Sequence, residues 1–263
     1  MLFQRAGYVK HAADAEIGLT RAYMQAGEYR RALSFAAHIA GAHPDPAGKA
    51  LYAQLLGLGG RNEVAAALLK QPPAQHAPFS PQSASLPADA RVVSSGVLVD
   101  GGRRVLSRVP PDAALWVRTA QGALVRATAF RPLKEQDLTL LELERPLDGV
   151  ALAAAPRDAF PGSPAYALDY PASADAAPAW PLLRAGFLGR RELGIALPPG
   201  PRGGPVLDQA GRVVGLALSD RLVPVSLFRA HLAEAPADAP RITIEELYER
   251  ALAATVQVIA AGQ

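Results

Sequence analysis

The chain contains no cysteine. That absence excludes disulfides, thiolate zinc sites and cysteine nucleophiles together, and leaves the redox compartment open. No apolar run reaches the length of a membrane span. The opening residues, "MLFQRAGYVKHAADAE", lack the apolar core of a signal peptide, so the sequence as given points to the cytoplasm. They also read like a helix already under way. A native start upstream of Met1 would leave the periplasm and further repeats open. Charge of one sign is scarce as well: 27 Lys and Arg against 24 Asp and Glu give a net +3, with no basic cluster dense enough for a nucleic-acid partner. The five histidines share no metal-ligand spacing and are assigned to surface or linker, so neither a metal nor a cofactor is expected.

What is present is a globular composition, 50% hydrophobic and only 19% charged over 263 residues. Its Ala, Pro and Arg excess suggests a bacterial source. Three zones separate by composition. Residues 1–71 are Ala- and Leu-rich with a helical period, which predicts a helical domain. Residues 72–90, "PPAQHAPFSPQSASLPADA", carry almost no large apolar side chains and read as a linker. From Arg91 to residue 263, short β-branched runs broken by Gly, Pro and Asp predict an all-β domain.

"ADAEIGLTRAYMQAGEYRRALSFAAHIAGAHPD", Ala13 to Asp45, resembles the tetratricopeptide repeat. Leu19, Ala22 and Tyr23 are expected on the face of the first helix, Gly27 at the turn, Ala32, Leu33 and Phe35 in the second helix, and Pro44 at its end. A weaker copy spans Ala50 to Gln71, with Gly60 at its turn and Ala65 at the close contact. Such repeats are interaction scaffolds with no chemistry of their own.

The second domain resembles trypsin-like serine proteases of the HtrA (Deg) type. Five stretches carry the likeness in the family's order: "SSGVLVDGGRRVLS" (94–107), "ALWVRTAQGALVRATAFRPLKEQDLTLLELE" (114–144), "PGSPAYALDYP" (161–171), "GPRGGPVLDQAGRVVGLAL" (200–218) and "RLVPVSLFRAHL" (221–232). The resemblance implies two six-stranded antiparallel barrels. The expected fold is therefore multidomain α and β, with helical repeat hairpins followed by a trypsin-like double β-barrel.

The family's chemistry does not carry across. Its nucleophile position holds Arg202, a guanidinium that stays protonated and cannot attack a carbonyl. No Ser or Thr lies between Phe187 and Leu218, and no histidine between His76 and His231. Pro110-Pro111 occupies the segment where the base would sit. The acid survives as Asp137, expected to accept backbone hydrogen bonds at a strand start. Gly203, Gly204 and Pro205 are expected to persist for backbone geometry, and the amides of Gly200 and Arg202 are a candidate anion nest. Trp116 and Trp180 are expected in the core.

After "APADAP" (235–240), Thr243 and Glu246 form a capping box that starts a helix, and "ATVQVIAAG" alternates as a strand. In HtrA-type proteases a similar helix and strand open the domain. Here they close it, so either the domain is circularly permuted or a second domain begins there. The expected partner strand is Ser95–Val99, with Val97 and Val99 meeting Val256, Val258 and Ala260.

The reading is a non-catalytic adaptor or scaffold in a bacterial assembly, binding a protein or peptide. Its candidate binding residues are Tyr23 and Tyr29 on the repeats and Gly200, Arg202, Gly203 and Leu218 in the old cleft. Two alternatives stand: a hydrolase rebuilt around Asp137 with Ser107 or Ser219, and a β domain serving as a spacer. Limited proteolysis of the native chain should cut first within residues 72–90, releasing one helical and one β-rich fragment. First cleavage inside either fragment would overturn the division.

Overall fold

A computed structural model describes residues 2–43, 45–70, 89–109, 114–133, 137–170, 180–190, 192–197, 202–219 and 221–261, with side chains 2–10 and 261 left out. The linker expectation thus falls almost wholly outside the described residues, as do Pro44, Pro110, Pro111 and Gly200. Two compact units are present, Met1–Ala77 and Pro78–Gln263.

The first unit is a run of four helices: α1 (Leu2–Ala26), α2 (Tyr29–Ala42), α3 (Pro46–Leu58) and α4 (Asn62–Leu69), each packed on the next. Gly27, at φ 77°, makes the first turn, with the Glu28 N–H donating to Tyr23 O at 2.9 Å. Pro46 opens α3 behind Asp45, whose carboxylate accepts the Ala47 N–H at 3.0 Å. Small residues let the helices approach: a Cβ on Gly48 would lie 2.3 Å from Ile39 Cγ2.

The buried face of α1 is Ala13, Ile17, Thr20 and Met24, a 4–3–4 spacing. This corrects the expectation for Leu19 and Ala22, which are exposed, Leu19 by 41%. Both were placed by the repeat likeness, whereas the face turned to α2 is set by the 3.6-residue period. Tyr29 is likewise a core residue: it is 1% exposed and its hydroxyl donates to Leu55 O at 2.9 Å.

The second unit contains a closed barrel of six strands in the order β1-β13-β3-β4-β5-β2. The strands are β1 (Arg91–Val99), β2 (Arg104–Ser107), β3 (Ala114–Arg118), β4 (Leu124–Leu133), β5 (Leu138–Leu143) and β13 (Thr255–Ala261). The C-terminal strand lies between β1 and β3, antiparallel to both, with Gly96 opposite Val256 and Val258 opposite Val117. Val256, Val258 and half-buried Ala260 face the barrel core, as the alternation predicts. Their counterpart on β1 is Leu98 rather than Val97 and Val99. Val97 pairs with Thr255, so the two expected valines share the opposite face, which is also buried. A one-residue error in register exchanges the two faces of a strand.

Before β13 comes α5 (Ile244–Leu252), capped by Thr243, whose hydroxyl accepts the Glu246 N–H at 3.2 Å. The Tyr248 hydroxyl donates to Pro181 O at 2.8 Å, and the Trp180 indole donates to Ala120 O at 3.1 Å. Trp180 is fully buried, as expected, while Trp116 is half-buried.

The remaining strands form a seven-stranded sheet in the order β12-β6-β10-β9-β7-β8, with β11 added on β10. They are β6 (Ala153–Ala154), β7 (Pro164–Asp169), β8 (Leu182–Phe187), β9 (Pro205–Leu207), β10 (Val213–Ala217), β11 (Leu222–Pro224) and β12 (Ala233–Glu234). Among the described residues this second sheet does not close, unlike the second barrel that the resemblance implied. Its β6 is two residues long and pairs in parallel with β10 and β12 rather than antiparallel.

Removing residues 241–263 should leave one edge of β1 and one edge of β3 unpaired and open the barrel core to water. The expected outcome is insoluble protein or loss of the cooperative melt of the β unit. A truncated chain that melts like the full one would overturn this account of closure.

Candidate functional site

The nucleophile loop of the resemblance is fastened by its backbone to the first barrel. Ser95 N–H donates to the Arg202 carbonyl oxygen at 3.0 Å, and the Ser94 hydroxyl donates to the same oxygen. Ser107 Oγ lies 2.8 Å from Ser94 Oγ and 2.7 Å from Ser95 O, so its single proton serves one of the two. All three serines have no exposed surface. Ser107 is thus a buried strut between β1 and β2, not a hydroxyl presented to substrate.

The glycines after Arg202 are explained by close approach. At Gly203, φ is 109° and a Cβ would lie 2.6 Å from Ser95 O. At Gly204 a Cβ would lie 1.8 Å from Leu168 O. Gly203 N–H donates to Ala217 O at 2.8 Å, and Ala217 N–H returns to Gly204 O at 3.0 Å, which holds the loop on β10. Leu218, expected to contact a ligand, is instead 1% exposed, with its N–H on Arg221 O at 2.9 Å. Being next to β10 in sequence, it inherits that strand's burial. The candidate nest lies partly outside the described residues, since Gly200 does.

Among the described residues, Asp137 is held by side chains and no backbone amide donates to its carboxylate. It sits at φ 56°, with Arg108 Nε 2.9 Å and Arg221 Nη2 3.6 Å from its Oδ2. Arg108 directly follows Ser107 and Arg221 directly precedes β11, so two guanidiniums surround the residue that would orient an imidazole in the family. The carboxylate side chain is 46% exposed, so these pairs contribute about 0–1 kcal/mol each. Their consequence is positional: the oxygen a base would need is taken by cations. Ser219 is exposed at the end of this region, with no hydrogen bond recorded among the described residues.

Sequence reasoning missed Asp169, although the lone acid in the apolar run "AYALDYP" was its signal. The side chain is 4% exposed; its Oδ1 accepts the Gly204 N–H at 3.0 Å, and its Oδ2 has no hydrogen-bond partner. Burial pushes the carboxyl up to about 7. The Arg202 guanidinium, the Gly204 amide and the Ser95 hydroxyl all favour the ionised form but do not offset that burial. Ser95 Oγ in turn accepts the Tyr170 N–H at 3.0 Å. Arg202, half-buried, is therefore tied to this seam by its carbonyl and by its charge.

Behind the seam, Arg118 is 2% exposed and donates from Nε and Nη2 to Gln257 Oε1 at 3.0 and 2.8 Å. Burial lowers its guanidinium to about 10, still charged at neutral pH. Burial raises the nearby Tyr170 phenol, whose hydroxyl donates to Thr255 O at 3.1 Å. This web runs through β13 and was not legible from local pattern, because Arg118 and Gln257 are 139 residues apart.

On the helical unit, Tyr23 is half-buried and stacks on Phe35 with ring centroids 5.4 Å apart, and the Arg31 guanidinium sits 5.8 Å over its ring. His38 and His43, assigned above to unrelated surface, instead converge on Glu16. A cavity of about 660 Å³ opens along the second sheet beside Arg157, Asp158, Phe160 and Arg212, and none of Ser94, Ser107, Asp137 or Arg202 lines it.

A tetratricopeptide repeat family model matches residues 2–55. No curated protein sequence matches the chain. Among solved structures, the MamO protease domain from Magnetospirillum magneticum is similar at 19% identity and a TM-score of 0.35, covering 57% of this chain and 98% of its own. Deg5 is similar at 15% identity and a TM-score of 0.37, covering 53% of this chain and 84% of its own. The helical unit thus matches the tetratricopeptide repeat over residues 2–55, which supports a protein-interaction role. Among the described residues, no helix is long and apolar enough to cross a membrane.

The raised Asp169 predicts a specific pH dependence. A carboxyl lifted from 3.8 to about 7 contributes stability that is complete below pH 4 and lost as pH rises through 7. Asp169→Asn keeps an acceptor for Gly204 but cannot ionise. Thermal melts should therefore show the wild type falling more steeply than the variant between pH 4 and 8, with the variant the more stable at pH 8. Parallel pH profiles would refute it.

Proposed function

We propose that this chain is a non-catalytic adaptor or scaffold, a pseudoprotease that binds a protein or peptide partner in a bacterial assembly. The observation that carries the reading is Arg202 at the nucleophile position, its carbonyl bound by Ser94 and Ser95, beside an Asp137 held by two arginines. Acyl transfer needs a hydroxyl or thiol, a base in reach of it and donors for the oxyanion. A guanidinium supplies neither of the first two, and the buried hydroxyls of Ser94 and Ser107 are already used in hydrogen bonds.

Binding is assigned to two surfaces. The first is the Tyr23, Phe35 and Arg31 ledge of the repeats, with Tyr29 removed from the candidate set because it is buried. A stacked aromatic pair topped by a cation offers flat apolar area with a charge at its rim, suited to an acidic or aromatic peptide side chain. The second is the old cleft, where Arg202 and Gly203 stand at the junction of the barrel with the second sheet. Leu218 supports this surface from below, in the core. The tetratricopeptide match over residues 2–55 supports the interaction class.

A fluorophosphonate probe should not label the protein, and unfolded casein should not be turned over. Arg202→Ser alone should restore neither, since a serine without a base remains a weak nucleophile at neutral pH. Stoichiometric labelling of the wild type, abolished by replacing one serine, would establish the hydrolase alternative instead.

A further inference from the structure

From the sequence, the histidines were too irregularly spaced to suggest a metal. The fold makes the spacing irrelevant. Glu16 lies on α1, His38 near the end of α2, and His43 is the residue that caps α2. The cap is extended, at φ −121° and ψ 133°, with its N–H returned to Ile39 O at 2.9 Å. This break from the helix brings His43 alongside a residue five positions earlier. His38 Nε2 is 3.7 Å from Glu16 Oε1, and His43 Nε2 is 3.6 Å from Glu16 Oε2. The two rings stand edge-on, with centroids 6.3 Å apart at 89°. One donor atom from each of the three residues lies within 4.8 Å of the others.

We propose that Glu16, His38 and His43 form a binding site for a first-row divalent cation of the zinc class. Two imidazoles and one carboxylate are the donor set of open zinc sites, three protein ligands with a fourth position left to water or a partner. Tetrahedral ligands at bond lengths of about 2.0–2.1 Å stand about 3.4 Å apart. The donor atoms, within 4.8 Å of one another, stand somewhat wider than that, so binding draws the three side chains together. A second observation points to the same ligand. Glu16 Oε2, the oxygen that faces His43 Nε2, is buried and has no hydrogen-bond partner. Polar atoms in that condition destabilise the fold unless something compensates them. The observed 3.6 and 3.7 Å separations are also longer than charge-assisted hydrogen bonds, typically about 2.7–2.9 Å. A cation among the three groups accounts for both features.

The site is graded in exposure: the His43 side chain is 14% exposed, Glu16 28% and His38 62%. His38 is therefore the solvent-side ligand and the route of entry, while Glu16 and His43 form the floor. A bound ion ties α1 to the C-terminal end of α2, staples the first repeat, and makes that repeat's stability depend on the metal.

The test uses the full chain, stripped with a chelator and titrated with Zn²⁺ by calorimetry, with Co²⁺ as a spectroscopic substitute. One equivalent should bind, the helical melt should rise in temperature, and Co²⁺ should give visible bands of a low-coordinate nitrogen–oxygen site. His38→Ala and Glu16→Gln should each weaken binding by about tenfold or more. His231→Ala, in the other unit, should leave it unchanged. His38 is mostly exposed, so its variant should fold, which circular dichroism checks. No uptake by the wild type would overturn the proposal, as would uptake that survives both His38→Ala and Glu16→Gln.

Discussion

The β unit depends on one backbone ladder: β13, from the far end of the chain, hydrogen-bonded between β1 and β3. Without it the first barrel has two open edges and a core lacking Val256 and Val258. With it, every strand of that barrel has two neighbours and no edge is offered to another chain. The strand does more than close the barrel. Its outer face carries Thr255 and Gln257, which accept from Tyr170 and Arg118. The same seven residues therefore complete an apolar core on one side and a buried polar web on the other.

That web continues into the seam where the family's chemistry would take place. Ser94 and Ser95 hold the carbonyl of Arg202, Gly203 and Gly204 pass within a Cβ of the neighbouring backbone, and Asp169 receives the Gly204 amide. The Ser94, Ser95 and Ser107 hydroxyls are structural, because each is buried and engaged in hydrogen bonds. Asp137 is held on the outside by Arg108 and Arg221. The loop's shape thus rests on its glycines and on backbone hydrogen bonds.

The helical unit follows a different logic. Its helices are held by small residues at close contacts, by buried Met24, Ile39, Leu55 and Leu56, and by the Tyr29 hydroxyl. The stacked Tyr23 and Phe35 and the convergence of Glu16 with two histidines are both products of the α1–α2 hairpin.

The sequence by itself determined the elements and much of their order. Gly27 and Gly60 marked the helical turns, the capping box at Thr243 marked α5, and the alternation of 255–260 marked a strand whose inward set is the observed one. These are local signals, written in residues that are neighbours along the chain. Arg202 between Pro201 and Gly203, and the stretch without histidine from His76 to His231, were equally legible, since residue identity needs no geometry to be read. Only the tertiary structure decided which side of β1 meets β13, because a period of two does not say which face is the core. It also decided that Tyr29 and Leu218 are interior, that Asp137 is bound by arginines, and that Asp169 is a buried acid. The meeting of Glu16 with His38 and His43 belongs to the same class. Its parts lie on two helices, and only the packing of one against the other brings donor atoms within reach of a single ion.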